Sequence, residues 1–215
     1  MDLLETLRST GAVRGFTDAA VSDATVASVL ETASFAPSGG NRQPWKVAVV
    51  KDLGLRATIA DLMRPVWEEY SGANAVGQRA FAFGRSIDAP PVAAPNALID
   101  DIASVPVVLA IAADLREISI MDGNLDRPPI VGGASIYPFC WSIVLAARAH
   151  GLGGVMTTFL SRAEIGAAAP LGLPADHALA ATIFLGVPTH QNTKLRRNPV
   201  NSFTFIDRFD GGSLQ

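Results

Sequence analysis

A ten-residue stretch from residue 36 to residue 45 carries the side chains best suited to bind a ligand. It reads Ala-Pro-Ser-Gly-Gly-Asn-Arg-Gln-Pro-Trp and joins a helical pattern to an apolar run. Two prolines and two glycines disfavour both helix and strand, so a rigid loop is predicted. Its backbone N–H groups, amides and guanidinium could bind a flat polar molecule. The alternative is an ordinary helix-to-strand connection.

Basic side chains form a second candidate feature. Arg14 follows the first predicted helix, and Arg196 and Arg197 stand together beside Lys194 in a polar tail. Guanidinium groups bind phosphate through paired, charge-assisted hydrogen bonds, so these residues could hold a small anionic ligand. Each of them could equally be a solvated surface residue, which is the commoner case for arginine.

Glycines 151, 153 and 154 lie between the most apolar predicted helix and an apolar run. Their order, helix before strand, is the reverse of a dinucleotide-binding G-x-G-x-x-G motif. Gly151 suits the end of a helix. The other two glycines either form a tight turn or let a ligand approach the backbone.

The sequence lacks the patterns of common hydrolases and metalloenzymes. It has no G-x-S-x-G or H-E-x-x-H motif and no paired carboxylates, and its histidines at 150, 177 and 190 lack metal-ligand spacing. Cys140 lies in an apolar helical pattern and is expected to be a buried, unreactive thiol. We therefore expect no catalytic side chain and no metal, and any chemistry has to come from a bound organic cofactor.

Composition favours one domain with a covered apolar face. The 215 residues are 49% hydrophobic and 17% charged, with a net charge of −3. That charged fraction is low for the surface of a monomer, so a sizeable subunit interface is expected. The small negative charge argues against nucleic-acid binding. No signal peptide or membrane-length apolar run is evident, so a cytoplasmic location is expected.

Hydrophobic periodicity predicts helices and strands over most of the chain. Helices are expected at residues 2–9, 22–34, 54–87, 131–149 and 162–169. Strands are expected at residues 45–50, 106–113, 155–159 and 179–187, with a mobile proline-rich connection at 88–100. The tail after residue 188 has too little apolar surface to fold alone. A tail strand laid on a sheet edge, of this subunit or of a second one, would account for it.

The order of these motifs resembles that of the nitroreductase-like, FMN-dependent oxidoreductase family. The motifs are G-A-V-R-G-F at 11–16, A-P-S-G-G-N-R-Q-P-W at 36–45, G-A-S-I-Y-P-F at 133–139, A-A-R-A-H-G-L-G-G at 146–154 and K-L-R-R at 194–197. The second motif is specific, and the others are weak singly but occur in the expected order. The resemblance covers nearly the whole chain and implies an α+β, nitroreductase-like fold with a mostly antiparallel central sheet flanked by helices.

The resemblance also implies a single FMN-binding domain over residues 1–215 and an intimate homodimer with FMN at the subunit interface. The extension at about 189–215 is expected to embrace the partner and add a strand to its sheet. In this family the arginine segment and the basic tail hold the phosphate and ribityl chain. The Pro-Ser-x-x-Asn loop reaches the flavin of the other subunit, and the turn after the long helix offers backbone N–H groups to the ring.

The FMN-binding residues that the resemblance implies come from all of these segments. They are Arg8, Arg14, Pro37, Ser38, Gly39, Asn41, Gln43, Leu152, Gly153, Gly154, Arg196 and Arg197. Arg8 is included because many members carry an R-R-S triplet where this chain reads Thr10-Gly11-Ala12. One helical turn earlier, Arg8 could replace the missing cations.

The implied activity is ping-pong transfer of a hydride from NADH or NADPH through FMN to an electron-poor acceptor, such as a nitroaromatic, a quinone or an enone. The stretch from Met63 to Pro95 is expected to shape the acceptor pocket. One alternative is a non-catalytic FMN-binding protein for flavin storage or redox sensing. Another is specialised flavin chemistry, such as reductive dehalogenation, oxidative dehydrogenation or flavin fragmentation.

Overall fold

The fold is α+β, as predicted. The structure is a computed structural model that describes residues 2–86 and 88–214. Its helices are α1 (Leu3–Ser9), α2 (Asp23–Ala33), α3 (Leu53–Ala75), α4 (Ala97–Asp100), α5 (Tyr137–Ala149), α6 (Phe159–Arg162) and α7 (Glu164–Leu171). Its strands are β1 (Trp45–Val49), β2 (Val107–Asp114), β3 (Gly153–Thr157) and β4 (His177–Gly186). Within the described ranges, no helix is both long enough and apolar enough to cross a membrane.

The four strands form one antiparallel sheet in the order β1-β2-β4-β3. The two central strands, β2 and β4, are buried along nearly their whole length. Their continuous apolar character is typical of strands that are covered on both faces. The strands β1 and β3 therefore lie at opposite edges of the sheet, and each leads directly to segments that carry predicted site residues.

Helices cover both faces of the sheet. On one face α2 and α5 pack against alternate residues of the central strands, such as Leu109 and Ile183. On the other face α3, α4, α6 and α7 cover the intervening residues, such as Ala110 and Phe184. This alternation follows from the two-residue repeat of a strand.

Helix ends agree with the predicted capping residues. The Ser22 side chain accepts a hydrogen bond from the N–H of Thr25 at 3.1 Å and so begins α2. Gly151 follows α5 with a φ of +75°, a left-handed conformation that favours glycine. Pro65 lies inside α3 without ending it.

Several predicted bounds were wrong. The helix expected at 54–87 ends at Ala75, before Gly77 with its φ of +69°. The helix expected at 131–149 begins as a short 3-10 turn, and its α-helical part starts only at Tyr137, next to a proline. The helix expected at 162–169 is two short helices, α6 and α7.

Strand bounds also differ from the prediction. The last two strands begin earlier than expected, at Gly153 and His177. The pairing of Gly153 with Gly186 extends the ladder into residues that pattern reading treats as a turn. Among the described residues of the tail there is no further strand, only an isolated bridge between Phe205 and Ser213. Docking of the tail on a second subunit stays a prediction.

A buried arginine joins the end of β1 to the start of β2. The Arg56 guanidinium donates from Nε to the carbonyl oxygen of Val50 at 2.9 Å and from Nη1 to that of Val105 at 2.6 Å. Only 7% of this residue is exposed, and burial lowers the pKa of its guanidinium. Its hydrogen-bond partners among the described residues are all backbone carbonyls. Arg56 therefore donates to buried carbonyl groups that water would otherwise have to satisfy.

We expect Arg56→Met to destabilise the protein by about 3 kcal/mol, because it leaves buried carbonyl groups without donors. Urea unfolding measures this change. Arg64→Met is the matched control, since Arg64 pairs with Asp100 at 2.8 Å where both side chains are about two-fifths exposed. That control should cost under about 1 kcal/mol. Equal losses from the two variants would contradict the role given to Arg56.

An ionic cluster fastens the end of β2 to the start of β4. Arg116 donates to the Asp114 carboxylate from Nε at 2.9 Å and from Nη2 at 2.6 Å, and Nη1 lies 2.7 Å from Asp176. His177 Nδ1 lies 2.7 Å from the other oxygen of Asp176. The hydrogen bonds from Arg116 hold the pKa of Asp114 well below its ordinary value of 3.8. The hydrogen bond with His177 lowers the pKa of Asp176.

The Asp114 carboxylate is therefore expected to make stability depend on acid pH. Because its pKa is lower in the folded state, the unfolded state binds more protons, and stability falls as the pH drops below 3.8. Asp114→Asn should be less stable than wild type at neutral pH and should lose less stability on acidification. Urea unfolding over a pH series tests this, with Asp18→Asn at an exposed position as the control. Parallel pH profiles for wild type and Asp114→Asn would contradict it.

Candidate functional site

The loop from residue 37 to residue 43 is held rigidly, with its polar side chains outward. The Ser38 hydroxyl oxygen accepts a hydrogen bond from the N–H of Gln43 at 2.9 Å. The N–H of Gly39 donates to the hydroxyl of Ser135 at 3.1 Å. Asn41 and Gln43 have φ values of +55° and +50°, which are uncommon for residues other than glycine. Both side chains are exposed, which leaves their amides available to a ligand.

Packing behind the loop fixes its exit into β1. Trp45 stacks on Phe139 of α5 with ring centroids 4.5 Å apart and planes 4° from parallel. The N–H of Asp114 donates to the carbonyl of Pro44 at 2.8 Å, so the ionic cluster also holds this end of the loop. Such support from the core is what a binding loop requires to keep its shape.

The segment that carries Arg14 runs along the opposite edge of the sheet. The N–H of Val13 donates to the carbonyl of Gly154 at 3.0 Å, beside β3. The same segment pairs with the start of the tail, since the N–H of Gly11 donates to Asn192 at 3.2 Å. The tail segment just before the basic residues 194–197 is therefore attached to the segment that carries Arg14.

This pairing explains the departure from the family's R-R-S triplet. A Cβ atom on Gly11 would lie 2.5 Å from the carbonyl oxygen of Asn192 and 2.9 Å from a methyl carbon of Leu195. Thr10 is 4% exposed, and its hydroxyl donates to the carbonyl of Thr6. A side chain at Gly11 would displace the tail, so close packing accounts for the absence of an arginine at that position.

A cavity of about 510 Å³ opens beside Arg14. Its walls come from α3, from the residues that lead into α4 and from the end of β3. They include Trp67, Tyr70, Pro95, Asn96, Ala97, Leu98, Met156, Thr157, Thr158 and Phe159. Arg14 makes no ion pair within the described part of the chain, and the buried Thr157 hydroxyl has no hydrogen-bond partner there. The cavity thus offers a ligand a cation without an ion-pair partner and, at Thr158, an exposed hydroxyl.

Three aromatic rings form one wall of this cavity. The centroids of Trp67, Tyr70 and Phe159 lie 5.7 to 5.8 Å from one another. The indole N–H of Trp67 donates to the carbonyl of Ala94 at 2.6 Å and ties the proline-rich connection to α3. Trp67 and Tyr70 lie within the stretch from Met63 to Pro95, for which an acceptor pocket is predicted, and both line the Arg14 cavity. The sequence pattern did not indicate Phe159 as a site residue.

The two glycines that begin β3, Gly153 and Gly154, allow close packing. A Cβ on Gly153 would lie 2.6 Å from a methyl carbon of Val13, and one on Gly154 would lie 2.4 Å from a methyl carbon of Leu185. Leu152 is buried beside them. None of the three lines the Arg14 cavity, which instead takes Met156, Thr157 and Thr158 from the other end of the strand. Contact of Leu152, Gly153 and Gly154 with a cofactor stays a prediction.

The other predicted basic residues are exposed. Arg8 lies on the solvent side of α1, and Arg196 and Arg197 lie in the tail. Arg197 Nη1 donates to the carbonyl of Arg196 at 2.7 Å, and neither residue lines the Arg14 cavity. Cys140 is buried as predicted, and burial raises the pKa of its thiol to about 12, so the thiol stays protonated.

The predicted site residues therefore fall into two sets within one chain. The 37–43 loop precedes β1, whereas Arg14 and residues 152–154 lie along β3, at the other edge of the sheet. With strands about 4.8 Å apart, the edge strands are separated by about 14 Å. No residue of the loop lines the Arg14 cavity.

The Arg14 cavity fits the FMN that the resemblance implies. FMN combines a phosphate, a polar ribityl chain and a flat ring, which require a cation, hydrogen-bonding groups and apolar walls. Arg14, the exposed Thr158 hydroxyl and the aromatic wall supply one of each. A volume of about 510 Å³ lies within the usual range for cofactor sites.

Known proteins are similar to this chain in sequence or in fold. A 5,6-dimethylbenzimidazole synthase of Rhodospirillum rubrum is 29% identical over 182 residues, which cover 84% of this chain and 79% of the relative. A structure from Desulfovibrio desulfuricans, assigned as a nitroreductase in complex with FMN, matches with a TM-score of 0.71 at 21% identity, over 97% of this chain and 98% of that one.

A second structure is that of the NADPH:FMN oxidoreductase of Vibrio harveyi, which was solved with NAD+. It matches with a TM-score of 0.68 at 18% identity, over 96% of this chain and 77% of that one. The model of the nitroreductase family matches residues 7–187, a span that includes both sheet edges and both sets of predicted site residues. The chain belongs to the nitroreductase family.

Proposed function

We propose that this chain is the subunit of a homodimeric, FMN-dependent oxidoreductase that takes a hydride from NADH or NADPH and passes it to an electron-poor acceptor. The observation that carries the proposal is the separation of two sets of predicted cofactor-binding residues to opposite sheet edges. One set includes Arg14, a cation in a cavity wall that makes no ion pair within the described residues. The other is a rigid polar loop whose amides at Asn41 and Gln43 are exposed.

A two-fold dimer would join the two sets. In such a dimer the same surface of both subunits forms the interface, so each loop can face the Arg14 cavity of the partner. Exposed apolar side chains support an interface, among them Tyr137 at 42% and Trp141 at 39% exposure on α5. The tail after Pro188, with Phe203 and Phe209 exposed, would embrace the partner.

The chain's own residues bind and orient the cofactor. Arg14, with Arg196 or Arg197, would hold the phosphate and ribityl chain, and the exposed Thr158 hydroxyl would hydrogen-bond a polar group. The aromatic wall excludes water from the ring, and the partner's loop offers the amides of Asn41 and Gln43. Bound FMN supplies the ability to accept a hydride and to release it again. The Arg14 charge would offset the negative charge that accompanies reduction.

The overall reaction requires no acidic side chain. For a quinone acceptor, NADH, a proton and the quinone give NAD+ and the hydroquinone, and water can supply the proton. For a nitroaromatic, NADH and a proton convert the nitro group to a nitroso group and water. Among the described residues, the walls of the Arg14 cavity contain no carboxylate or histidine, in agreement with a site that works by positioning and electrostatics.

Two other functions make different predictions. The similarity to a 5,6-dimethylbenzimidazole synthase favours synthesis of that compound as a second candidate, and its appearance after aerobic incubation with reduced FMN would support this.

A flavin-storage or redox-sensing protein would bind FMN but would not turn over. Loss of the yellow colour of bound FMN within seconds of adding NADH or NADPH, and its return with an acceptor, supports the oxidoreductase. No reduction over minutes favours the binding protein.

We expect Arg14→Ala to weaken FMN binding by about 1–3 kcal/mol, roughly 5- to 150-fold in Kd, because it removes a charged contact. Quenching of FMN fluorescence on titration with apoprotein measures the Kd. Arg208→Ala is the control, since Arg208 pairs with Asp210 at 2.9 Å in the exposed tail. Purified protein that stays colourless after incubation with FMN would contradict the proposed function. Unchanged affinity in Arg14→Ala would remove only this residue from the site.

A further inference from the structure

A second, apolar cavity of about 530 Å³ lies beside the 37–43 loop. It is enclosed by the segment between β2 and α5 and by the ends of the two central strands. Its main walls are Leu115, Ile118, Ile120, Ile130, Ile136 and Tyr137. No lysine, arginine, histidine, aspartate or glutamate lines it within the described part of the chain. It therefore lacks the cation that the first cavity has in Arg14.

The walls of this cavity are held in place by a buried carboxylate. Asp122 accepts hydrogen bonds from the N–H groups of Ile130 at 2.9 Å and Val131 at 3.3 Å, and from Arg127 at 2.6 Å. These hydrogen bonds lower the pKa of Asp122, and the bond from the N–H of Ile130 contributes most. The carboxylate therefore stays ionised and continues to accept them. Asp122 itself does not line the cavity. A segment that reads as a loop in the sequence is therefore an ordered wall.

The 37–43 loop is hydrogen-bonded to the residue that directly precedes two wall residues of the cavity. Ser135 accepts the hydrogen bond from the N–H of Gly39, and the next two residues, Ile136 and Tyr137, line the cavity. Under the proposed function this loop contacts the partner's cofactor. A molecule in the apolar cavity would then lie beside that cofactor, on the side away from the charged residues around Arg14.

We propose that this cavity binds the oxidising substrate and that it selects uncharged, hydrophobic acceptors over anionic ones. This inference rests on the proposed function. A carboxylate transferred into the cavity would lose water and gain no cation, which is costly. The one ionisable side chain in the wall is Tyr137, whose hydroxyl donates to the carbonyl of Ala180 at 3.4 Å. Burial raises the pKa of Tyr137, so it remains neutral.

A matched pair of acceptors tests the proposal. 4-Nitrobenzamide and 4-nitrobenzoate carry the same nitro ring, and only the second is an anion. Each takes two electrons and two protons, which convert its nitro group to a nitroso group and water. The rate of anaerobic reoxidation of the chemically reduced holoenzyme, measured against acceptor concentration, gives an apparent affinity for each without involving NADH. We expect the neutral amide to be favoured by roughly tenfold or more.

A positive charge introduced into the cavity wall gives a sharper test. Ile120→Lys places a cation in the wall at a side chain that is 46% exposed, and it should reduce the preference for the amide by roughly tenfold. Met121→Lys is the matched control, because the neighbouring Met121 is 82% exposed and does not line the cavity. Ile130→Lys, at a wall position 74% exposed, repeats the test if Ile120→Lys fails to fold.

Three outcomes are distinct. A preference for the amide that falls in Ile120→Lys or Ile130→Lys, but not in Met121→Lys, supports the inference. Equal affinity for both acceptors in wild type, or the same change in all lysine variants, overturns it while the oxidoreductase function stands. A wild-type protein that does not bind FMN contradicts the proposed function itself.

Discussion

The strand order β1-β2-β4-β3 is the constraint on which the rest of the structure depends. In this order the strands that adjoin the predicted site residues, β1 and β3, lie at opposite edges of the sheet. The buried strands β2 and β4 lie between them. The apolar character of β2 and β4 requires helices on both faces, so neither edge can fold back to reach the other. Under the proposed function, a second subunit brings the loop of one chain to the Arg14 edge of the other. The low charged fraction and the exposed rings on α5 agree with such an assembly.

Charge is divided between two cavities in a way that matches two roles. Around Arg14, a cation and the exposed Thr158 hydroxyl suit a ligand with a phosphate and polar groups. Beside the 37–43 loop, aliphatic walls suit a ligand without charge. In the proposed dimer the two cavities would adjoin one cofactor. The Arg14 cavity of one subunit would bind the cofactor, and the apolar cavity of the other would bind the acceptor.

Local signals in the sequence predicted the buried central strands and the caps at Ser22 and Gly151, whereas the fold class was implied by the family resemblance. They could not predict the residues around Arg14, because Trp67 and Thr157 lie 90 positions apart and meet only through tertiary packing. The close approach of Asn192 to Gly11 is equally non-local, so the absence of arginine there looked like a lost ligand. The apolar wall at 118–130 depends on Asp122, whose partners a periodicity pattern does not reveal.

A heterodimer with complementary defects tests most directly whether the site is shared between subunits. Arg14→Ala and Asn41→Ala subunits, each with its own affinity tag, are co-expressed, and the mixed dimer is isolated through both tags. If each site combines the Arg14 cavity of one subunit with the loop of the other, one site carries both defects and one is intact. We predict one tight FMN site per heterodimer, while both homodimeric variants bind weakly. Two equally weakened sites in the heterodimer would contradict the account.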